Sequence, residues 1–248
     1  MKLDFYYWSS LCPLNDEMLC LLEEYSGSLE ASCRDISDTP DLARELRMFY
    51  PTLTVAEGGR RYYSPLSRRL LDALCEGRLP EERPFAPALG TEAYCGEIVP
   101  LTARTCHLAG QCTARTCSRG CANKARFFQA RGQEIWGFLN LAGERLLGGA
   151  EYVPSALVPY DIPRDEGTAF LTCAYLSDSE FDYKSPPLRA LEEYLSGSYD
   201  RILAVSDERG VFPNGDLPFF LRNGYVDEGI VAREPGYCTL HLVCKKLR

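Results

Sequence analysis

The stretch GRLPEERPFAPALG, residues 77–90, limits the fold of this chain more than any other. Its three prolines withhold backbone donors and its alternating charges resist burial, so it reads as an extended, solvated connection. It divides the 248 residues into two stretches, each long enough for a core of its own. The boundaries read as a first unit over 1–79, a proline-rich connection over 80–91 and a second unit over 92–248.

In the first unit, LDFYYW (3–8) is strand-like, and a helical stripe of Leu14, Met18, Leu21 and Leu22 follows it. A second strand lies in SLEASCRDIS (28–37), and Asp38 or Thr39 caps a helix with Pro40 in its first turn. YPTLTVAEGGRRYYSP reads as two strands joined at Gly58-Gly59, and SPLSRRLLDALCEG as a closing helix. Cys20, Cys33 and Cys75 fall within these elements and are expected in the core.

The second unit contains a hairpin over IWGFLNLAGERLLGGAEYVPS and a strand, AFLTCAYLS, apolar on both faces and therefore central. A helix (PPLRALEEYLSG), a strand (DRILAVSDE) and a helix (LPFFLRNGY) follow. The last strand, GYCTLHLVCKKL, alternates, with His241 a structural member of one face.

A net charge of -8 argues against nucleic acid as a partner, because phosphate contacts need a surplus of Lys and Arg. No apolar run reaches the roughly 20 residues of a membrane helix, and Asp4 interrupts any N-terminal signal, so a cytoplasmic protein is expected. Twelve cysteines in such a chain read as buried thiols, metal ligands or reactive groups rather than as a disulfide framework. Four of them, Cys106, Cys112, Cys117 and Cys121, fall within sixteen residues at spacing C-x5-C-x4-C-x3-C beside His107. Zinc ligation, a reactive pair formed by Cys117 and Cys121 with Arg119 nearby, and simple packing are the three readings open. The surrounding segment, 98–133, has no Asp or Glu but carries Arg104, Arg115, Arg119, Lys124, Arg126 and Arg131, as a solvated face or an anion site would.

The β-α-β-α-β-β-α order of the first unit resembles the thioredoxin fold, with Cys12 at a strand-to-helix turn and Tyr50-Pro51-Thr52 before the third strand. The resemblance implies that Pro51 faces Cys12 and that the helix N-terminus favours its thiolate. Asn15 replaces the second cysteine of the family's C-x-x-C, which implies a monothiol. The second unit resembles the GNAT acyltransferases, on its element order and on PFFLRNGY, whose Phe219, Phe220, Gly224 and Tyr225 match a family signature. Together the two resemblances imply an α/β (α+β) chain, a thioredoxin-like domain followed by a GNAT-like domain with a central mixed sheet.

The GNAT resemblance also implies acyl transfer from acetyl-CoA to an amine of a small molecule or protein. The cofactor would lie against Ala174, Leu176, Tyr183, Lys184, Ser185 and Phe220, with Glu151 as general base and Tyr152, Tyr175 or Tyr183 as acid, since Phe220 occupies the family's tyrosine position. The turn over 177–187 has no glycine, two prolines and three acidic residues, which is poor phosphate-binding chemistry. The competing reading is a non-catalytic module that binds metal or senses oxidants through Cys12 and the 106–121 cluster.

Overall fold

The computed structural model describes residues 1–9, 11, 12, 14–114, 120–212 and 214–248; Cys117, Arg115 and Arg119 lie outside the described residues. Two sheets form. The first is built from β1 (Lys2–Tyr7), β2 (Glu30–Asp35), β3 (Thr52–Ala56) and β4 (Arg60–Tyr62), in the order β2-β1-β3-β4. β1 runs parallel to β2 and antiparallel to β3, and β3 runs antiparallel to β4. Helices α1 (Asn15–Glu24), α2 (Pro40–Glu45) and α3 (Arg68–Cys75) connect and cover it. The Ser67 side chain accepts from the Leu70 amide to start α3, whose Leu71 and Leu74 then turn inward together.

The second sheet has seven strands in the order β10-β11-β9-β8-β7-β6-β5. They are β5 (Glu97–Leu101), β6 (Gly137–Ala142), β7 (Arg145–Pro154), β8 (Thr168–Leu176), β9 (Arg201–Asp207), β10 (Val226–Glu234) and β11 (Cys238–Lys246). Helix α4 (Gly120–Arg131) precedes β6, α5 (Ser185–Leu195) joins β8 to β9, and α6 (Leu217–Arg222) joins β9 to β10. Asp216 caps α6 by accepting from the Phe219 amide, and Gly224, at φ +83°, ends the turn after it.

Two strands escape sequence patterning because both are sheet edges. β5 contains Pro100, whose missing donor an edge strand tolerates, and β10 is interrupted by two register shifts and mostly exposed. The expectation that Cys33 and Cys75 are core residues is overturned: both are exposed. Cys33 lies on the edge strand β2, and Cys75 ends α3 away from its Leu71–Leu74 stripe.

One apolar cluster lies within the first unit, and a second lies between the larger sheet and α5 with α6. The third spans both units, joining Trp8, Tyr50 and Leu53 to Tyr160, Phe170 and Val205. Its seam is aromatic: Trp8 meets Tyr160 edge-on at 5.5 Å, and Tyr63 stacks on Tyr237 at 5.1 Å. The first unit therefore covers the face of the larger sheet opposite α5 and α6. The proline-rich segment is bonded to both units, with Glu82 accepting from the Tyr63 and Ser64 amides and Val211 N–H donating to the Phe85 carbonyl. Among the described residues no helix is long and apolar enough to cross a membrane.

Candidate functional site at the β8–β9 fork

Every strand pair in the larger sheet is antiparallel except β8 with β9. That pair registers only from Thr168 to Phe170 against Arg201 to Leu203; beyond it, β8 stays with β7 and β9 with β11, so the sheet forks. Strands that part leave backbone groups on their facing edges needing partners. Asn214 meets part of that need, donating from Nδ2 to the carbonyls of Leu171 on β8 at 3.4 Å and Val205 on β9 at 3.3 Å.

On the side covered by the first unit, a cavity of about 370 Å³ opens at this fork. Cys12, Leu14 and Pro51 of the first unit form one wall, and Thr172, Cys173, Ala174 and Leu176 of β8 form another, with Phe212 and Cys112 completing it. Among the described residues no charged side chain lines it. The structure thus brings the predicted residues Cys12, Ala174, Leu176 and Cys112 to one space.

Under this floor lies a buried ion pair. Lys124 Nζ, from α4, donates to both Glu151 oxygens on β7 at 2.7 Å and to the Leu11 carbonyl of the first unit at 2.9 Å. Both side chains are 1% exposed. Thr172 Oγ1 donates to Glu151 Oε1 at 2.8 Å, and the Tyr175 hydroxyl donates to Oε2. Burial, then the charge of Glu151, holds the Tyr175 phenol well above its ordinary value, so it serves as a neutral donor. Glu151 is neither solvent-facing nor single-partnered: each of its oxygens accepts two bonds. Lys124, by the same geometry, is no part of a solvated basic face.

Of the four cysteines expected to act as one metal cluster, the three described ones divide into two places. Cys106 and Cys121 lie together in the core, where burial, then Cys121, pushes the Cys106 thiol up to about 11. Cys112 turns instead toward β8, its thiol 3.9 Å from the Leu176 carbonyl and hydrogen-bonded to the free thiol of Cys173. The bond to Cys112 and burial hold Cys173 well above the ordinary thiol range. Among the described residues no three His, Cys, Asp or Glu side chains are arranged to hold a metal, and zinc finds no support here.

Tyr183, Lys184, Ser185 and Phe220 sit away from the cavity, around the starts of α5 and α6. Phe220 belongs to the core beneath those helices. Lys184 is buried, its Nζ 4.2 Å from the Phe219 ring centroid and 3.5 Å from the Asn214 carbonyl, and burial lowers it to about 8. At the α5 N-terminus Asp182 is its own anion: Oδ1 accepts from the amides of Lys184 at 3.1 Å and Ser185 at 3.0 Å, and Oδ2 from Ser185 Oγ at 2.5 Å. Residues 90–94 strap the same turn. Gly90 N–H reaches the Ser179 carbonyl, Asp182 N–H the Glu92 carbonyl and Tyr94 N–H the Asp182 carbonyl.

Sequence reasoning placed Lys124 in a basic segment and Asp182 among acidic residues that would repel a phosphate, and passed over Thr172, Cys173 and Asn214. Asp182, standing just before a Ser-Pro-Pro helix start, carries a readable capping signal; each of the others makes a contact across 21 residues or more that no local spacing announces.

No family model and no curated protein matches the chain. Among solved structures it is similar to an N-acetyltransferase from Staphylococcus aureus Mu50, with 15% identity over 61% of this chain and 98% of that one, at a TM-score of 0.45. It is similar to the aminoglycoside 6'-N-acetyltransferase of Enterococcus faecium, with 10% identity over 61% and 97%, at 0.44. An aminoglycoside 6'-N-acetyltransferase complexed with coenzyme A is similar at 10% identity over 61% and 97%, with a TM-score of 0.43.

Proposed function

We infer that the second unit is a GNAT-type N-acyltransferase domain and that the fork between β8 and β9 is its ligand site. The observation that carries this reading is the fork itself, a three-residue parallel pairing in an otherwise antiparallel sheet. The edge of β8 beyond Phe170 can take an extended, amide-bearing arm by strand-like hydrogen bonding. The uncharged cavity beside it suits the acyl end of a thioester. The order β2-β1-β3-β4, with β3 antiparallel to its neighbours, supports a thioredoxin-like first unit, and Cys12 and Pro51 meeting in one cavity is consistent with it.

Acetyl-CoA does not fit the α5 turn in the manner the resemblance implies. An anion there needs open backbone N–H groups. Those of Lys184 and Ser185 already bond Asp182, and the 90–94 strap covers the turn. The donor we propose is an acyl thioester that places no phosphate at α5, and the acceptor is an amine. Cys173 is held as a neutral thiol, a poor nucleophile, so the amine attacks the thioester carbonyl directly rather than through an acylated Cys173: the C–N bond forms, the C–S bond breaks, and the proton the amine loses is matched by one that the leaving thiolate takes up from water. Glu151, bonded by an ammonium and two hydroxyls, holds the floor of the cavity in place instead of accepting the amine's proton.

The test is calorimetry with S-acetyl-N-acetylcysteamine, a phosphate-free thioester, and with acetyl-CoA, on the wild type and on Cys12→Trp, which obstructs the cavity from its half-buried first-unit wall. The thioester should bind the wild type, be lost from the variant, and gain nothing from the phosphates of acetyl-CoA. If neither ligand binds, or if both bind Cys12→Trp unchanged, the fork is not the site. Acetylated amine product, followed by mass spectrometry, then identifies the acceptor.

A further inference from the structure

A second cavity of about 370 Å³ lies at the other end of the inter-unit seam, between α2, β4 and the β10–β11 hairpin. Its chemistry is opposite to that of the fork. Arg44, Arg47, Arg61 and Arg233 line it, with Asp161 and Glu234 as its acidic members and Phe49, Tyr50 and Tyr63 among its walls. Both carboxylates are engaged: Asp161 accepts from Arg44 Nε at 3.4 Å, and Glu234 from the Tyr63 hydroxyl at 2.6 Å. Among the described residues neither Arg47 nor Arg233 forms an ion pair. Arg61 donates from Nη2 to the Leu46 carbonyl at 2.6 Å, while its Nε is shut off from solvent with no partner. Arg44 is matched by Asp161 and, through Nη1 at 3.0 Å, by Asp41, which leaves Arg47, Arg61 and Arg233 facing the one carboxylate of Glu234 in a protein whose net charge is -8.

Arg47 adds an independent sign. It is the non-glycine residue with positive φ among those described, at +48°. It follows α2 where the Met48 amide returns to the Ala43 carbonyl at 2.8 Å, a helix stop at which the left-handed residue is ordinarily glycine. Arginine is strained there, and what it adds is a guanidinium on the rim of the cavity. Strain retained at such a place points to function.

We propose that this cavity binds a phosphate monoester carried on an aromatic or similarly flat apolar body. Guanidinium forks match phosphoryl oxygens in pairs. A phosphate monoester brings about two negative charges at neutral pH and can meet two of the three guanidinium groups of Arg47, Arg61 and Arg233, whereas a carboxylate brings one. Phe49, Tyr50 and Tyr63 supply the flat apolar surface for the rest of the ligand.

The experiment is calorimetry with phenyl phosphate, against inorganic phosphate and benzoate, on the wild type, Arg47→Gly and Arg233→Ala. Phenyl phosphate should bind the wild type more tightly than either comparison ligand. Each substitution should weaken it about tenfold, as loss of one charge-assisted contact does. Arg47→Gly should do so with an unchanged or higher melting temperature, because glycine relieves the positive φ, so the loss cannot be assigned to misfolding. Equal binding of phenyl phosphate to the wild type and both variants would overturn the proposal, as would benzoate binding as tightly as the phosphate ester. Thioester binding at the fork should be unchanged in both variants.

Discussion

The Lys124–Glu151 pair offers the sharpest test of how the two units are held together. Lys124→Met keeps the length of the side chain but removes the ammonium. The Glu151 carboxylate is then left buried with only Thr172 and Tyr175 as donors, and the Leu11 carbonyl loses its partner. Removing one member of a buried pair costs about 3–5 kcal/mol, because the remaining charge stays out of water. Glu151→Gln leaves the ammonium in the same position and should cost a comparable amount. In the double variant neither charge remains and the amide can still accept from Thr172 or Tyr175, so its cost should fall short of the sum by about 2 kcal/mol or more. Urea unfolding, with the slope checked for constancy, measures all three. The exposed Lys2–Glu30 pair, 73% and 72% exposed, is the control and should give almost no coupling. Additivity within about 0.5 kcal/mol at Lys124 and Glu151 would refute the claim that their charges depend on each other in a dry site.

Three further outcomes are expected. Lys184 titrates lower in the folded chain, at about 8, than when unfolded, so the unfolded chain holds more protons between those values and this group's contribution to stability rises with pH across that window. Lys184→Met should therefore be more stable than the wild type at pH 7, by up to about 3 kcal/mol, and the difference should close toward pH 10.5; a difference flat with pH in thermal melts would contradict the buried charge. Asp182→Ala should lose about 1–2 kcal/mol as the Lys184 and Ser185 amides lose their acceptor, and should gain affinity for pyrophosphate by calorimetry; no gain would mean that the strap alone closes the turn. Asn214→Ala should cost about 1–3 kcal/mol by urea unfolding, since Leu171 and Val205 both lose a donor, and a cost near zero would show that the fork does not rely on that bridge.

The interior strands and both helices beside the fork were legible because burial on two faces leaves continuous apolar runs such as AFLTCAYL, and because Pro186, Asp216 and Gly224 punctuate the helices. β5 and β10 were not, since edge strands tolerate proline, glycine and charge. Cys12, Ala174 and Leu176 are named by family resemblance alone, and the structure places them on one cavity. The partners of Glu151 could not be found that way. A lysine inside a basic segment looks solvated, and only the packing of α4 on β7 and the Leu11 carbonyl shows that it is not. The cysteine cluster misled for the converse reason: closeness along the chain is not closeness in space once the chain turns between Cys106 and Cys112.

The aromatic seam between the units bears on the order of events during synthesis. Residues 1–79 leave the ribosome before residues 92–248, with Trp8, Phe49 and Tyr50 awaiting partners that are translated much later, Tyr160 and Phe212 among them. Until those arrive, the early half presents a sticky surface rather than a finished domain, and its maturation is tied to the last third of the chain. Folding of the two halves is thereby made a single event, in which a truncated product is left visible to quality control.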